Sequence, residues 1–216
     1  MKIPIELALD LLHLATDGTL ATHSETVPGY PFATAVPHVP DEAHRPVFCI
    51  SRLAEHTRNI LADARVSYAI TQPGVSDVQN APRMTVVGDV EPVEPSSAFV
   101  EHFLRYQPSA EPLLALDFSF FRLTPRRLRY IGGVGKMGWL EAADWSELAT
   151  LTPEDEQLIL RGLAASQARR ARLLGIDRYG MDMEVHERRQ RHRFPNAPLA
   201  TQDIETTVRR MFSALP

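Results

Sequence analysis

The chain has 216 residues, a formal net charge of −4, 44% hydrophobic residues and a single cysteine, Cys49. This length and hydrophobic fraction suit one large domain, or one domain with a small module, and allow a sizeable core. The mildly acidic balance argues against a protein that coats nucleic acid or an anionic membrane, and one cysteine excludes an intrachain disulfide and a cysteine-based zinc site.

The N-terminal segment does not resemble a secretory signal, because Glu6 and Asp10 interrupt its apolar run. A signal needs roughly 7–15 uninterrupted apolar residues, and a membrane-spanning helix needs about 18. Neither pattern occurs in the sequence. We therefore expect a cytoplasmic protein that acts on a small molecule and has no membrane or nucleic-acid partner.

The first two thirds of the chain combine an initial helix with many short β-like runs. Apolar spacing predicts a helix over residues 5–14. Strand-like runs with few long helices between them favour an antiparallel sheet or barrel of about six strands. The runs cover residues 19–22, 32–39, 47–50, 66–70, 83–93 and 116–131, the last of them split by Thr124-Pro125.

The sequence changes from strand-like runs to a helical pattern near residues 146–151, where we place a domain boundary. Thr152-Pro153 followed by two acidic residues is typical of a helix start, and the predicted helix runs to about residue 174. A short strand pair over 176–185 and a last helix capped by Thr201 follow. The basic run 188–193 is interpreted as a solvated hairpin.

The most informative stretch is residues 51–59, which follows a buried apolar strand and opens a helix. The free N–H groups and the dipole of a helix start favour an anion. Side chains of Ser51, Arg52, His56 and Thr57 can add donors, so the stretch predicts a phosphate-monoester site. The alternative is a serine-capped surface helix with solvated charges.

Two further features have both a functional and a plain interpretation. Arg83 heads the strand over 83–93 and is either a second phosphate anchor, since a guanidinium grips phosphate in a fork, or a surface charge. The glycine-rich run 132–138 contains G-x-G-x-x-G but lacks the following helix and strand of a dinucleotide-binding unit. None of the eight histidines has a zinc-site spacing, so we predict no metal site.

Several segments, in order along residues 5–145, resemble a known family. Residues 31–38, 51–59 and 83–88 are similar to pyridoxamine 5′-phosphate oxidase-related FMN-binding proteins. Residues 117–123 and 129–135 are similar to the heme-utilisation branch of that family. The tail resembles a small domain of unknown function that is often appended to this branch.

The resemblance implies an α+β fold: a six-stranded antiparallel split β-barrel over residues 1–147, with flanking helices, and a small, mainly helical C-terminal α/β module over 151–216. It implies a homodimer with two FMN sites at the interface. Thr34 and Val36 would lie along the flavin. Gly135 and Trp139 would approach from the partner subunit. The phosphate and ribityl chain would be surrounded by Ser51, Arg52, His56, Thr57 and Arg83.

Two departures from the family pattern concern the tail. Relatives often carry Asn-x-Asp-His in the first tail helix, where residues 164–167 here read Ala-Ala-Ser-Gln. Heme-degrading relatives use a histidine near the C-terminus as an iron ligand, whereas the last histidine here is His192. Either His186 or His192 remains as a candidate iron ligand.

Three functions follow as hypotheses. The first is an FMN-dependent oxidoreductase or flavin-binding protein with an unassigned substrate, in which the isoalloxazine ring carries the redox chemistry. The second is a heme-binding or heme-degrading protein. The third is a non-enzymatic dimeric binding module that has lost FMN, because folds persist without their chemistry.

Overall fold

The first half of the chain folds into ten short helices and strands, as the sequence predicts. The computed structural model describes residues 3–133, 135–163 and 171–213. The elements up to residue 115 are α1 (Ile5–Leu14), β1 (Asp17–His23), β2 (Pro31–Pro37), β3 (Val39–Pro40), β4 (Pro46–Ser51), α2 (Glu55–Ala62), β5 (Arg65–Thr71), β6 (Arg83–Pro92), α3 (Ser97–Tyr106) and a 3₁₀ helix (Pro108–Ala115).

The second half completes one sheet and adds another. Its elements are β7 (Phe118–Ile131), β8 (Met137–Glu141), α4 (Ala142–Ser146), α5 (Pro153–Leu163), β9 (Ala171–Ile176), β10 (Gly180–Val185), β11 (Arg188–Arg193) and α6 (Thr201–Ser213). None of the helices in the described ranges combines the length and apolar composition that crossing a bilayer requires.

The main sheet is a curled antiparallel half-barrel with the strand order β2-β1-β5-β6-β7-β4-β3, and β8 also pairs with β7. The α+β class and the antiparallel pairing agree with the sequence analysis, but this sheet has eight strands where six were expected. The extra strands are β3, which has only two residues, and β8, which follows the glycine-rich turn. Neither is long enough to give a clear alternation in sequence.

Strand β7 is continuous over 14 residues, so the predicted split at Thr124-Pro125 is wrong. Pro125 lies opposite Gly88, where the β6–β7 register shifts between Val87 and Gly88. A proline lacks the N–H of the ladder and is tolerated where a bulge already interrupts that ladder. Gly88 permits the close approach, because a Cβ there would lie 2.2 Å from the Thr124 carbonyl oxygen.

The core of the barrel lies between the inner face of the sheet and α1. Leu9 and Leu12 of α1 are fully buried, as are Phe48 and Tyr68 from the sheet, whose rings meet edge to face with centroids 5.0 Å apart. Burial of such side chains is the main favourable term in folding. The predicted amphipathic helix over residues 5–14 is thereby confirmed.

The tail differs from the prediction in the extent of its first helix. The helix starts near Pro153 as expected, but residues 171–176 form β9 and do not extend the helix to 174. Leu173, Leu174 and Ile176 are buried, and a short run of buried apolar residues fits either a helix or a strand. Residues 188–193 form β11, the edge strand of an antiparallel hairpin with β10, as predicted, although the Arg191 side chain is only 3% exposed. The departure at residues 164–167 lies outside the described residues.

The division into domains at 1–147 and 151–216 stays a prediction. Apolar side chains of the tail form a cluster of their own that includes Leu163, Met181 and Phe194. The tail also contacts the barrel core, since Tyr179 packs with its residues.

Replacing the helix cap Ser96 with alanine should lower the free energy of unfolding by about 1 kcal/mol. The Ser96 Oγ accepts a hydrogen bond of 3.2 Å from the backbone N–H of Phe99 at the start of α3. The neighbouring Ser97→Ala variant, already inside the helix, is the control and should change little. Urea unfolding measures both, and equal losses would contradict the cap assignment.

Candidate functional site

An open cleft of about 340 Å³ lies where β2, β4, α2 and the 3₁₀ helix meet. Its volume falls in the range of small-molecule sites, and its walls are mainly apolar. The lining residues are Ala35, Val36, Pro37, Cys49, Ile50, Ser51, Ala54, His56, Gln107, Ser109, Ala110, Leu113 and Phe118.

The polar groups of the cleft carry no charge. Burial lowers the pKa of His56, whose Nε2 is buried without a hydrogen-bond partner, so its imidazole is neutral near pH 7. Burial also raises the pKa of the Cys49 thiol to about 11. No Asp, Glu, Lys or Arg is among the described residues that line the cleft. Such a surface suits a planar apolar ligand better than an ion.

The hydroxyl groups predicted to bind phosphate already donate hydrogen bonds within the protein. Ser51 Oγ donates to the Asp117 carboxylate and accepts a hydrogen bond of 3.1 Å from the Leu53 N–H. Thr57 is fully buried, and its hydroxyl donates to the Ser51 carbonyl at 2.6 Å. These bonds stabilise the turn from β4 into α2.

Asp117 adds a negative charge to this junction. The hydrogen bond from the Ser51 hydroxyl holds the pKa of Asp117 below its usual range, so the group is a carboxylate near pH 7. Its charge opposes a phosphate at the same place.

Arg52 supplies a positive charge next to Ser51 of the lining. Its side chain is exposed, and its Nε donates to Ser119 Oγ at 2.8 Å. Ser119 pairs with Ile50, which lines the cleft. The guanidinium therefore lies at the edge of the cleft, where it can meet an acidic group of a ligand.

Arg83 lies at the other end of the sheet. It pairs with Ile131, the last residue of β7, whereas Ser51 pairs with Phe118, the first residue of that 14-residue strand. The Arg83 Nη1 donates to the carbonyl oxygens of Val78 and Gln79, both at 2.9 Å. Within one chain the structure does not bring Arg83 to Ser51.

Gly135 and Trp139 share that end of the sheet with Arg83. Gly135 has a positive φ of 78° in the turn between β7 and β8, and Trp139 on β8 is 43% exposed. The guanidinium carbon of Arg127 lies 4.2 Å from the centre of the Trp139 ring, a cation–π contact.

The nine predicted site residues thus form two groups. We call Arg83, Gly135 and Trp139 the hairpin group. The cleft group includes Val36, Ser51 and His56 in the lining, while Thr34 lies two residues before Val36 on the same face of β2. The cleft group also includes Arg52 and Thr57, which flank the junction.

Sequence reasoning missed one wall of the cleft. Ala110 and Leu113 of the 3₁₀ helix and Phe118 at the start of β7 line it together with β2, β4 and α2. The segment 108–115 contains two prolines and has neither a helical nor a strand period, so no pattern indicated that it would fold over the cleft.

Comparison with known proteins identifies relatives of the whole chain. The chain is 25% identical over 238 residues to the non-canonical heme oxygenase HOZ, a chloroplastic protein of Arabidopsis thaliana, a match that covers 98% of this chain and 73% of the relative. It is 26% identical to the heme binding protein from Mycobacterium smegmatis, whose structure superposes with a TM-score of 0.61 over 100% of both chains.

The fold has a further relative in the protein Atu2129 of Agrobacterium tumefaciens, described as being of unknown function. That structure superposes with a TM-score of 0.73 at 22% identity and covers 98% of this chain and 94% of its own. At such identity the likeness concerns the fold alone. Residues 5–147 match the family described as "CREG, beta-barrel". The chain therefore belongs to the CREG beta-barrel family.

Proposed function

We propose that this protein binds heme in the cleft between β2, β4, α2 and the 3₁₀ helix. The observation that carries the proposal is the uncharged, mainly apolar lining of a cleft of about 340 Å³ with a cation at its edge. Heme combines an apolar macrocycle with two carboxylates and fits this division. The two relatives of 25% and 26% identity that match almost the whole chain are named for heme.

The chain's own residues divide the task of binding. Val36, Ile50 and Phe118 offer apolar walls to the macrocycle, and Arg52 is placed to pair with a carboxylate. His56 is the one histidine among the described lining residues, and its neutral imidazole is the form that ligates iron. When bound, heme supplies a redox-active iron.

FMN is the second candidate, as the sequence resemblance implies. The apolar cleft suits an isoalloxazine ring, which would supply the redox chemistry of an FMN-dependent oxidoreductase. The phosphate fits less well within one chain, because Ser51 and Thr57 donate internally and Arg83 lies elsewhere. This mismatch ranks FMN below heme.

A homodimer accounts for the two separate groups of site residues. The exposed apolar side chains Val87, Met137 and Trp139 lie on β6 and β8, the two strands that flank β7 at its C-terminal end. A face of this kind is typical of an interface. Pairing of two chains would bring the hairpin group of one protomer towards the cleft of its partner.

Sedimentation at micromolar concentration should show a dimer, because an obligate interface of this kind buries over roughly 2,000 Å². Trp139→Asp should shift the equilibrium towards folded monomer, and Leu61→Asp, at an exposed leucine of α2, is the control. A wild-type protein that sediments only as folded monomer would contradict the proposal.

Filling the cleft should weaken hemin binding at least about tenfold. Ala35 is exposed and lines the cleft, so Ala35→Trp places a ring in it without disturbing the core. Ala33→Trp is the matched control, since Ala33 is exposed on the same face of β2 but outside the lining. Hemin titrations of both variants measure the effect, and equal affinities would place heme elsewhere.

A further inference from the structure

Three potential metal ligands from distant parts of the sequence meet beside the barrel core. His13 lies in the last turn of α1, His44 lies between β3 and β4, and Asp177 follows β9. His13 Nε2 lies 3.0 Å from His44 Nδ1 and 3.5 Å from Asp177 Oδ2. His44 Nδ1 lies 4.0 Å from the same oxygen. All three residues are buried.

These separations suit one small cation. Zinc binds imidazole nitrogen and carboxylate oxygen at about 2.0–2.2 Å in a tetrahedron, which places ligand atoms about 3.3 Å apart. The observed separations of 3.0, 3.5 and 4.0 Å bracket that value. Shifts of a few tenths of an ångström would bring all three atoms to bonding distance.

The surroundings of His13 resemble the outer shell of a metal site. Its Nδ1 lies 2.7 Å from Asp182 Oδ2, and that carboxylate also accepts a hydrogen bond of 2.6 Å from the Tyr106 hydroxyl. A carboxylate on the far nitrogen of a ligating histidine fixes the ring and raises its basicity. Nε2 of His13 is thereby directed to His44 and Asp177.

Asp177 is held in place yet keeps one oxygen free of hydrogen bonds. Its Oδ1 accepts from the backbone N–H groups of Tyr179 and Gly180, at 2.6 and 2.9 Å. Its Oδ2 is buried and accepts no hydrogen bond, but it forms an ion pair with Arg191, whose Nη1 lies 2.8 Å away and whose Nη2 donates to Oδ1 at 3.0 Å. A carboxylate oxygen has two lone pairs, so this ion pair leaves one of them for a metal ion.

A cavity of about 20 Å³ adjoins two of the three ligands and has room for one water molecule. His13 and Asp177 line it, as does His102. Both ring nitrogens of His102 are engaged, with Glu156 at 2.8 Å and the Pro40 carbonyl at 3.1 Å, so His102 is not a ligand. The cavity supplies the fourth position.

We propose that His13 Nε2, His44 Nδ1 and Asp177 Oδ2, with one water, bind a zinc ion that links the barrel to the tail. Two imidazoles and a carboxylate are a ligand set that zinc takes in proteins. The spacing in sequence concealed the site, because each ligand comes from a separate element. The site is independent of the heme cleft, so each can fail without the other.

The test uses the full-length protein after removal of metals with a chelator. Calorimetric titration with zinc chloride should show one zinc per chain, and zinc at about 100 times its Kd should raise Tm by about 5–10 °C. Magnesium, which prefers all-oxygen sites, should not. Cobalt(II) should give the visible absorption of a tetrahedral site.

The variants locate the ion. His44→Asn and His13→Gln each keep a polar atom near the lost ligand and should weaken zinc binding more than about 100-fold, since even an outer-shell partner contributes 10- to 100-fold. His102→Gln, in the same cavity, should keep the affinity. Folded wild type that neither binds zinc nor gains Tm overturns the proposal whatever the variants do, and so does unchanged affinity in both ligand variants.

Discussion

Replacing Arg191 with methionine should lower the free energy of unfolding by about 3–5 kcal/mol. The Arg191 side chain is only 3% exposed, and its Nη1 lies 2.8 Å from Asp177 and 3.1 Å from Asp182. Although burial alone would raise the pKa of Asp182, Arg191 and His13 hold it at about 2. Without the guanidinium, two buried carboxylates lose their main positive partner.

Arg193→Met is the matched control, two residues along the same strand. Arg193 is 41% exposed and pairs with Asp10 at the surface, a kind of ion pair that contributes about 0–1 kcal/mol. Urea unfolding in the presence of a chelator compares the two variants without a contribution from metal. Similar losses for both would show that the buried cluster is not what stabilises this part of the tail.

Acidification from pH 7 to pH 4 should cost about 3 kcal/mol of stability through His38 alone. His38 is fully buried, with its ring nitrogens 2.9 Å from the Tyr68 hydroxyl and 2.9 Å from the Leu12 carbonyl. Burial lowers its pKa from 6.5 to about 4. In the unfolded chain His38 binds a proton below about pH 6.5, whereas in the folded chain it binds one only below about pH 4. The free energy of unfolding therefore falls as the pH falls through this window.

His38→Gln isolates this contribution, because glutamine does not titrate. Its stability at pH 7 should be lower, but its stability should fall by about 3 kcal/mol less than wild type between pH 7 and pH 4. The difference between the two profiles removes other groups, such as His44, whose pKa burial also lowers to about 4. Parallel profiles would contradict this account, because they would mean that folding does not change the pKa of His38.

Local patterns predicted most of the barrel. Helix α1 follows from the periodicity of its apolar residues, and the junction at Ser51 follows from the change from an apolar run to a polar, helical pattern. Both signals are properties of neighbouring residues. The continuous β7 was not predictable, because Pro125 is tolerated only through Gly88 on another strand. The strand β9 was mistaken for helix because burial by the rest of the fold, not local period, decides its type.

The candidate site shows the same limit. Ser51 and His56 come together because they lie on one strand–helix junction. Arg83 was placed beside them by family resemblance, but its position depends on the register of a 14-residue strand that no local pattern encodes. The cluster of His13, His44 and Asp177 depends on how the tail packs against the barrel, so sequence spacing could not indicate it.

The visible spectrum of the metal-stripped protein during parallel titrations with hemin and FMN tests the central claim most directly. Heme binding predicts a saturable Soret band at one hemin per chain, weakened by Ala35→Trp, with FMN bound much more weakly. The claim is contradicted if FMN binds stoichiometrically, with a shifted flavin band, while hemin shows only unsaturable, nonspecific association.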